Sequence, residues 1–187
     1  MNIPFKMNSS QQYNTKKSLD VSNNIEKIQS AWWVIYMIDK KSQTPVFLLI
    51  KRQAMSKRIE WIAPKGKIKP WESPDKAAMR EIQEETWLLI QNMEIKQKLD
   101  TISLQLYLED GNLWLDKDIT DYLIEYHWDP QSVQLQQWEW FLWQYVWTDI
   151  HKALNLITYR DLRELYRVAF HAIGQLSAKK NLIDKLF

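Results

Sequence analysis

"GKIKPWESPDKAAMREIQEETWL", residues 66–88, decides how the rest of the chain reads. Ser73 is a suitable N-cap and Pro74 suits a first helical position, so the spacing predicts a helix beginning near Pro74. With about 100° per residue and Glu81 set at zero, Glu84 falls near −60° and Glu85 near +40°. Ala78, Met79, Ile82, Thr86 and Leu89 occupy an adjoining arc that can bury itself, while Lys76, Arg80 and Gln83 point elsewhere. Three carboxylates therefore share one face. Like charges three and four residues apart repel by about 0.2–0.5 kcal/mol on an open helix, and a bound divalent cation would reverse that sign. Carboxylate oxygens suit hard ions such as Mg²⁺ or Mn²⁺. A solvated acidic face accounts for the same three residues. The flank "PKGKIK" adds three lysines around Gly66, and cations beside a metal-binding cluster suit a substrate that is anionic and metal-binding, such as a di- or polyphosphate.

Upstream, "AWWVIYMI" and "PVFLLIKR" are apolar, β-rich runs separated by the polar "DKKSQT", which reads as a hairpin. "EWIAPKGK" is a short strand entering a Pro/Gly turn. Downstream, "LLIQNMEI", "TISLQLYLE", "DYLIEYH" and "QYVWT" are strand-like, and "EDGN" is a turn. "DIHKALNLI" reads as a short helix. A longer helix is expected from near Tyr159, with Thr158 and Asp161 at cap spacing and Leu162, Leu165, Tyr166, Ala169, Ile173 and Leu176 as its buried stripe. Strands mixed with two or three helices imply an α/β or α+β sandwich. Residues 1–28 are rich in Asn, Gln, Ser and Lys and read as a polar, mobile tail, leaving 29–187 as a single domain. With no cysteine, disulfides, thiolate zinc sites and a cysteine nucleophile are excluded from the chain. A net charge of +2 gives no general pull toward nucleic acid or membrane. No apolar run approaches a membrane span and the first residues are too polar for a secretory signal, so a cytoplasmic location is expected.

The box at 66–88 resembles the signature of the Nudix hydrolases, G-x5-E-x7-R-E-apolar-x-E-E-x-G-apolar. Gly66, Glu72, Arg80, Glu81, Ile82, Glu84, Glu85 and Leu88 fall in register, and Trp87 stands where the second glycine belongs. "WIAPKGKI" looks like the diadenosine-polyphosphate-hydrolase branch, and the resemblance spans about residues 30 to 172. It implies a Nudix-type α/β/α sandwich with a mixed β-sheet. It further implies metal-dependent hydrolysis of a nucleoside diphosphate linked to another group, a dinucleoside polyphosphate first among them, with an RNA 5′ end as a further partner. Glu81, Glu84 and Glu85 would act in catalysis and hold Mg²⁺ or Mn²⁺ with help from the Gly66 backbone. Glu72 and Arg80 would brace the loop and helix, and Glu139 is a candidate further ligand. Lys65, Lys67 and Arg52 are candidate phosphate contacts. A non-catalytic Nudix-like module that binds a nucleotide or a protein is the competing reading, and a structural protein with an aromatic interaction surface is a third.

The chain has 3 glycines and 11 tryptophans, whereas average usage predicts roughly 13 glycines. Trp71 follows Pro70 in a tight turn, where a type II geometry wants glycine, and Trp87 follows the helix, where a left-handed C′ residue is normally glycine. Trp61 and Trp147 suit ordinary tryptophan positions. Trp32, Trp33, Trp71, Trp87, Trp114, Trp128, Trp138, Trp140 and Trp143 are the positions suspected of being glycine in the native protein, as translation of UGA codons with the wrong table would produce.

Overall fold

A computed structural model describes residues 25–54, 57–108, 113–135 and 142–184. The described elements run β1 (Ile25–Ile38), β2 (Pro45–Gln53), β3 (Ile59–Ile62), β4 (Lys65–Lys67), α1 (Pro74–Thr86), β5 (Met93–Leu108), β6 (Leu113–Tyr126), β7 (Leu142–Thr148), α2 (Ile150–Leu156) and α3 (Arg160–Ile183). The strands form one mixed sheet in the order β3-β2-β1-β6-β5, with β4 added to β1 and β7 to β2. β1 runs parallel to β6 along its length, pairing Ile25 with Trp114 and Tyr36 with Glu125. Its other edge is shared. Tyr36, Met37 and Ile38 pair antiparallel with β2, whereas Ser30, Ala31 and Trp32 pair with β4. The sheet thus forks beside β1, and Trp33 N–H reaches across the fork to the Pro64 carbonyl at 3.1 Å.

Strand side chains alternate between faces, and β1 distributes them between two apolar layers. Ala31, Trp33, Ile35 and Met37 pack with Leu48 against Ala78 and Ile82 of α1. Val34 and Tyr36 pack with Phe47 and Leu49 against Ile150 and Ala153 of α2 and Leu162, Leu165, Tyr166, Ala169 and Ile173 of α3. Helices on both faces make this the α/β/α sandwich. Each fully buried Leu or Ile contributes about 1.5–3 kcal/mol of transfer free energy. The helix stripe on α3 is therefore core, and Tyr166 satisfies its buried hydroxyl by donating to the Leu48 carbonyl at 3.1 Å. No described helix is long and apolar enough to cross a membrane.

Several local expectations need correction. β1 begins at Ile25, inside the segment read as tail. The run after the box enters β5 through a 3₁₀ turn at Ile90–Asn92 instead of continuing as strand. Ser73 is the N-cap of α1 but makes no side-chain capping bond. The N-cap of α3 is Tyr159, without a side-chain cap. Thr158 does not cap because its hydroxyl accepts from Trp61 N–H at 2.9 Å, a tertiary partner that outcompetes the local one. The "EDGN" turn lies outside the described residues.

Trp71 also departs from expectation. The turn closes through Glu72 N–H to the Lys69 carbonyl at 2.9 Å, and Trp71 stays out of the left-handed region. A type I turn tolerates an L side chain there. Trp87 behaves differently: it is the C-cap of α1 at φ 57°, ψ 13°, and its N–H bonds the Gln83 carbonyl. A β-carbon costs roughly 1–2 kcal/mol in that conformation. Because Trp87 is also exposed, Trp87→Gly is expected to stabilise the chain by about 1 kcal/mol, raising Tm by about 2–4 °C. An unchanged or lower Tm in thermal denaturation would contradict the strain argument.

Candidate functional site

The site forms where α1 lies across β4. Ala77, Ala78, Ile82 and Thr86 bury one side of the helix, which presents the next side, carrying Glu81 and Glu85, to the β4 backbone. Glu85 Oε2 accepts the Lys65 N–H at 3.1 Å. Its carboxyl end is deeply enclosed, and burial pushes its pKa up to about 8 against the opposing pull of that hydrogen bond and of the Lys65 and Arg52 charges. Glu81 lies flat against Gly66: a β-carbon there would sit 2.0 Å from Glu81 Cδ and 2.2 Å from Cγ. Burial raises the Glu81 carboxyl too, opposed by Arg80. Gly66 is thus required for the close approach of helix side chain to strand, not for an unusual φ.

Arg80 organises the loop before the helix. Its Nε and one terminal nitrogen bind both oxygens of Glu72 at 2.8 Å each, and that terminal nitrogen also donates to the Lys67 carbonyl at 3.0 Å. Its second terminal nitrogen bonds Glu81 at 2.7 Å and Glu84 at 3.0 Å. The bidentate guanidinium holds the Glu72 carboxyl down at about 2. Helical angles set Arg80 apart from the acidic face, but a long side chain reaches back to it.

The structure therefore brings Glu81, Glu85, Gly66 and Lys65 together and leaves Glu84 on the exposed flank with Arg80. A cleft of about 100 Å³ opens beside them, lined by Ser30, Trp32, Lys65, Gly66 and Lys67. Arg52 on β2 pairs with Glu60 on β3, near enough for its charge to act on Glu85. Glu139 lies outside the described residues. The donors at the box are all oxygen, and Glu85 is an enclosed carboxyl whose ionised form burial disfavours despite the Lys65 and Arg52 charges. Both features fit a hard divalent cation.

A second group escaped sequence reasoning. Among the described residues, Glu94, Glu125 and His127 are the three metal-ligating types whose ligand atoms all lie within 4.8 Å of one another. They come from β5 and the end of β6, too far apart in sequence for any spacing to signal them. Lys96 Nζ already sits 3.0 Å from Glu94 and 3.2 Å from Glu125 and compensates their charge. A larger cleft of about 430 Å³ adjoins His127, lined also by Asp39, Lys40 and Trp128, at the end of β1 away from Gly66. It contains no residue of the box.

The tryptophans near the site differ in how well they are accommodated. Trp147 donates its indole N–H to the Pro130 carbonyl at 3.0 Å. The indole nitrogens of Trp32 and Trp33 are buried without a hydrogen-bond partner among the described residues, and each such donor costs about 1–3 kcal/mol. Trp138 and Trp140 lie outside the described residues.

The NUDIX domain model matches residues 27–167. Among solved structures, the chain resembles an Ap4A hydrolase binary complex from C. elegans at 22% identity and a TM-score of 0.62, covering 79% of this chain and 98% of that one. A second structure of C. elegans Ap4A hydrolase matches at 25% identity and a TM-score of 0.57, covering 78% and 97%. The NUDIX domain of Shewanella oneidensis NrtR, complexed with ADP ribose, matches at 17% identity and 0.60, covering 79% and 88%. No curated protein matches.

Proposed function

The chain belongs to the Nudix family and is a pyrophosphohydrolase of that family, and we propose that it cleaves a nucleoside diphosphate linked to another group, with a dinucleoside polyphosphate as the leading substrate. The observation that carries the site assignment is the seating of Glu81 and Glu85 against the β4 backbone at Gly66. A rigid helix mounts the carboxylates and a strand fixes the backbone they face, which is what fixed-geometry coordination needs. The "WIAPKGKI" text and the likeness in fold to C. elegans Ap4A hydrolase favour the dinucleoside polyphosphate.

Nudix hydrolases use divalent cations, and Glu81, Glu84, Glu85 and the Gly66 carbonyl would hold Mg²⁺ or Mn²⁺ here. Such an ion lowers the pKa of bound water and offsets charge on phosphoryl oxygens. Glu81, whose pKa burial raises, would orient or take the proton of the attacking water. Glu72 and Arg80 hold the loop against the helix, and Lys65, Lys67 and Arg52 supply positive charge for the phosphate chain.

The test is a panel of diadenosine tetraphosphate, 5′-triphosphorylated and capped RNA, ADP-ribose and nucleoside triphosphates, with Mg²⁺ or Mn²⁺. It is run on this chain and on a version with glycine at 71 and 87. Cleavage at a pyrophosphate bond, fastest for the dinucleoside polyphosphate, is expected. A folded protein that cleaves none of them is a binding module. Trp87 is also proposed to replace a native glycine, on the strength of its left-handed backbone, and a UGG codon at that position would refute this.

A further inference from the structure

The basic side chains around the site differ in what their nitrogens already do. Arg80 spends its Nε and both terminal nitrogens on Glu72, Glu81, Glu84 and the Lys67 carbonyl. Lys51 reaches Gln144 at 3.4 Å and lies over the Trp61 ring. Arg52 is bound through Nε alone, to Glu60 Oε1 at 2.6 Å, and its two terminal nitrogens make no hydrogen bond among the described residues. Its side chain keeps 24% of its surface exposed, whereas that of Glu60 keeps none.

The other oxygen of Glu60 accepts the Tyr159 hydroxyl. Tyr159 is fixed in turn, because the residue before it is stitched to β3. Thr158 N–H donates to the Trp61 carbonyl at 3.1 Å, and Trp61 N–H donates to the Thr158 hydroxyl at 2.9 Å. The β2–β7 ladder also slips between Lys51 and Arg52, a bulge of the kind that re-aims side chains. A buried carboxylate with one oxygen on an arginine and the other on a tyrosine has a single orientation available. A guanidinium gripped by Nε leaves its two terminal nitrogens as a planar fork, the geometry that recognises phosphate bidentately.

We propose that Glu60 and Tyr159 are positioning residues that hold Arg52 by its Nε, so that its free terminal nitrogens clamp a phosphate group of the substrate. Resting on the pyrophosphohydrolase reading, this tells the site's arginines apart: Arg80 braces the protein, and Arg52 meets the anion. It also gives the N-cap residue of α3 a part in substrate binding, because Tyr159 bonds the Glu60 oxygen that Arg52 does not use.

Tyr159→Phe is the probe variant, because Tyr159 is 40% exposed and removing its hydroxyl opens no cavity. KM is expected to rise about 3- to 10-fold with kcat nearly unchanged, the effect of one hydrogen bond. Affinity for inorganic tripolyphosphate, measured calorimetrically, should fall in parallel. Arg52→Lys should weaken both at least as much, and adding Tyr159→Phe to it should have no further effect. Unchanged KM and tripolyphosphate affinity in Tyr159→Phe, or full additivity with Arg52→Lys, would overturn the proposal. If the wild-type chain cleaves no substrate, the hydrolase reading fails. Tripolyphosphate affinity then decides the clamp alone: equal affinity in wild type and Tyr159→Phe, or no affinity in either, counts against it.

Discussion

Glutamine at position 85 is expected to lower kcat by about 100-fold or more and, in metal-free buffer at pH 8, to make the protein more heat-stable than the parent. The two effects share one cause. Unfolded, Glu85 titrates at the ordinary carboxylate value; folded, burial lifts it to about 8. Between those values the folded state binds the proton more tightly, so stability falls as pH rises, by up to about 1.4 kcal/mol per unit. Near pH 8 the accumulated cost is on the order of 4 kcal/mol, and it disappears below the ordinary carboxylate range. Glutamine never carries the charge and never incurs the cost. Melting curves at pH 4.5, 6 and 8 should show the variant drawing ahead of wild type with rising pH. Mn²⁺ should rescue the wild type at pH 8 and leave the variant unmoved. Equal melting temperatures at all three pH values would mean that Glu85 is not held in an enclosed site.

Gly66→Ala should separate activity from folding in another way. The added methyl would collide with Glu81 Cδ and Cγ, but Gly66 is not in the left-handed region, so the backbone tolerates alanine. Glu81 relieves the clash by swinging toward solvent, at a cost of about 1 kcal/mol in rotamer strain and lost contact. The variant should therefore fold, with Tm lowered by a few degrees, and turn over about 100-fold more slowly because the carboxylate has left β4. A variant with wild-type kcat would show that Glu81 need not lie against that strand. One that fails to fold would show that Glu81 cannot swing away.

Much of this was legible in the sequence because it is local. The position of α1, the alternation along β1 and the stripe on α3 follow from periodicities that short segments carry on their own. The acidic face was legible for the same reason, but the fates of its members were not. Glu85 turns inward to a strand amide, Glu81 lies on a glycine, and Glu84 stays outside with Arg80. Those choices depend on where β4 crosses the helix, which no helical angle encodes. The Arg52–Glu60–Tyr159 chain was invisible because its last member arrives from α3, and Thr158 misled because tertiary pairing with Trp61 displaced the cap.

The parallel ladder between β1 and β6 bears on how the molecule assembles. On a ribosome β1, β2, β4 and α1 emerge first and can dock through hairpin and helix contacts, while one full edge of β1 waits for a strand synthesised much later. Pairings between distant segments close slowly, and an open strand edge invites other chains to add to it. The waiting strand here includes Trp32 and Trp33. Yield in heterologous expression should therefore be limited by the delay before β6 arrives, and slower growth at low temperature or an added chaperone should recover more soluble protein than strengthening the finished core would.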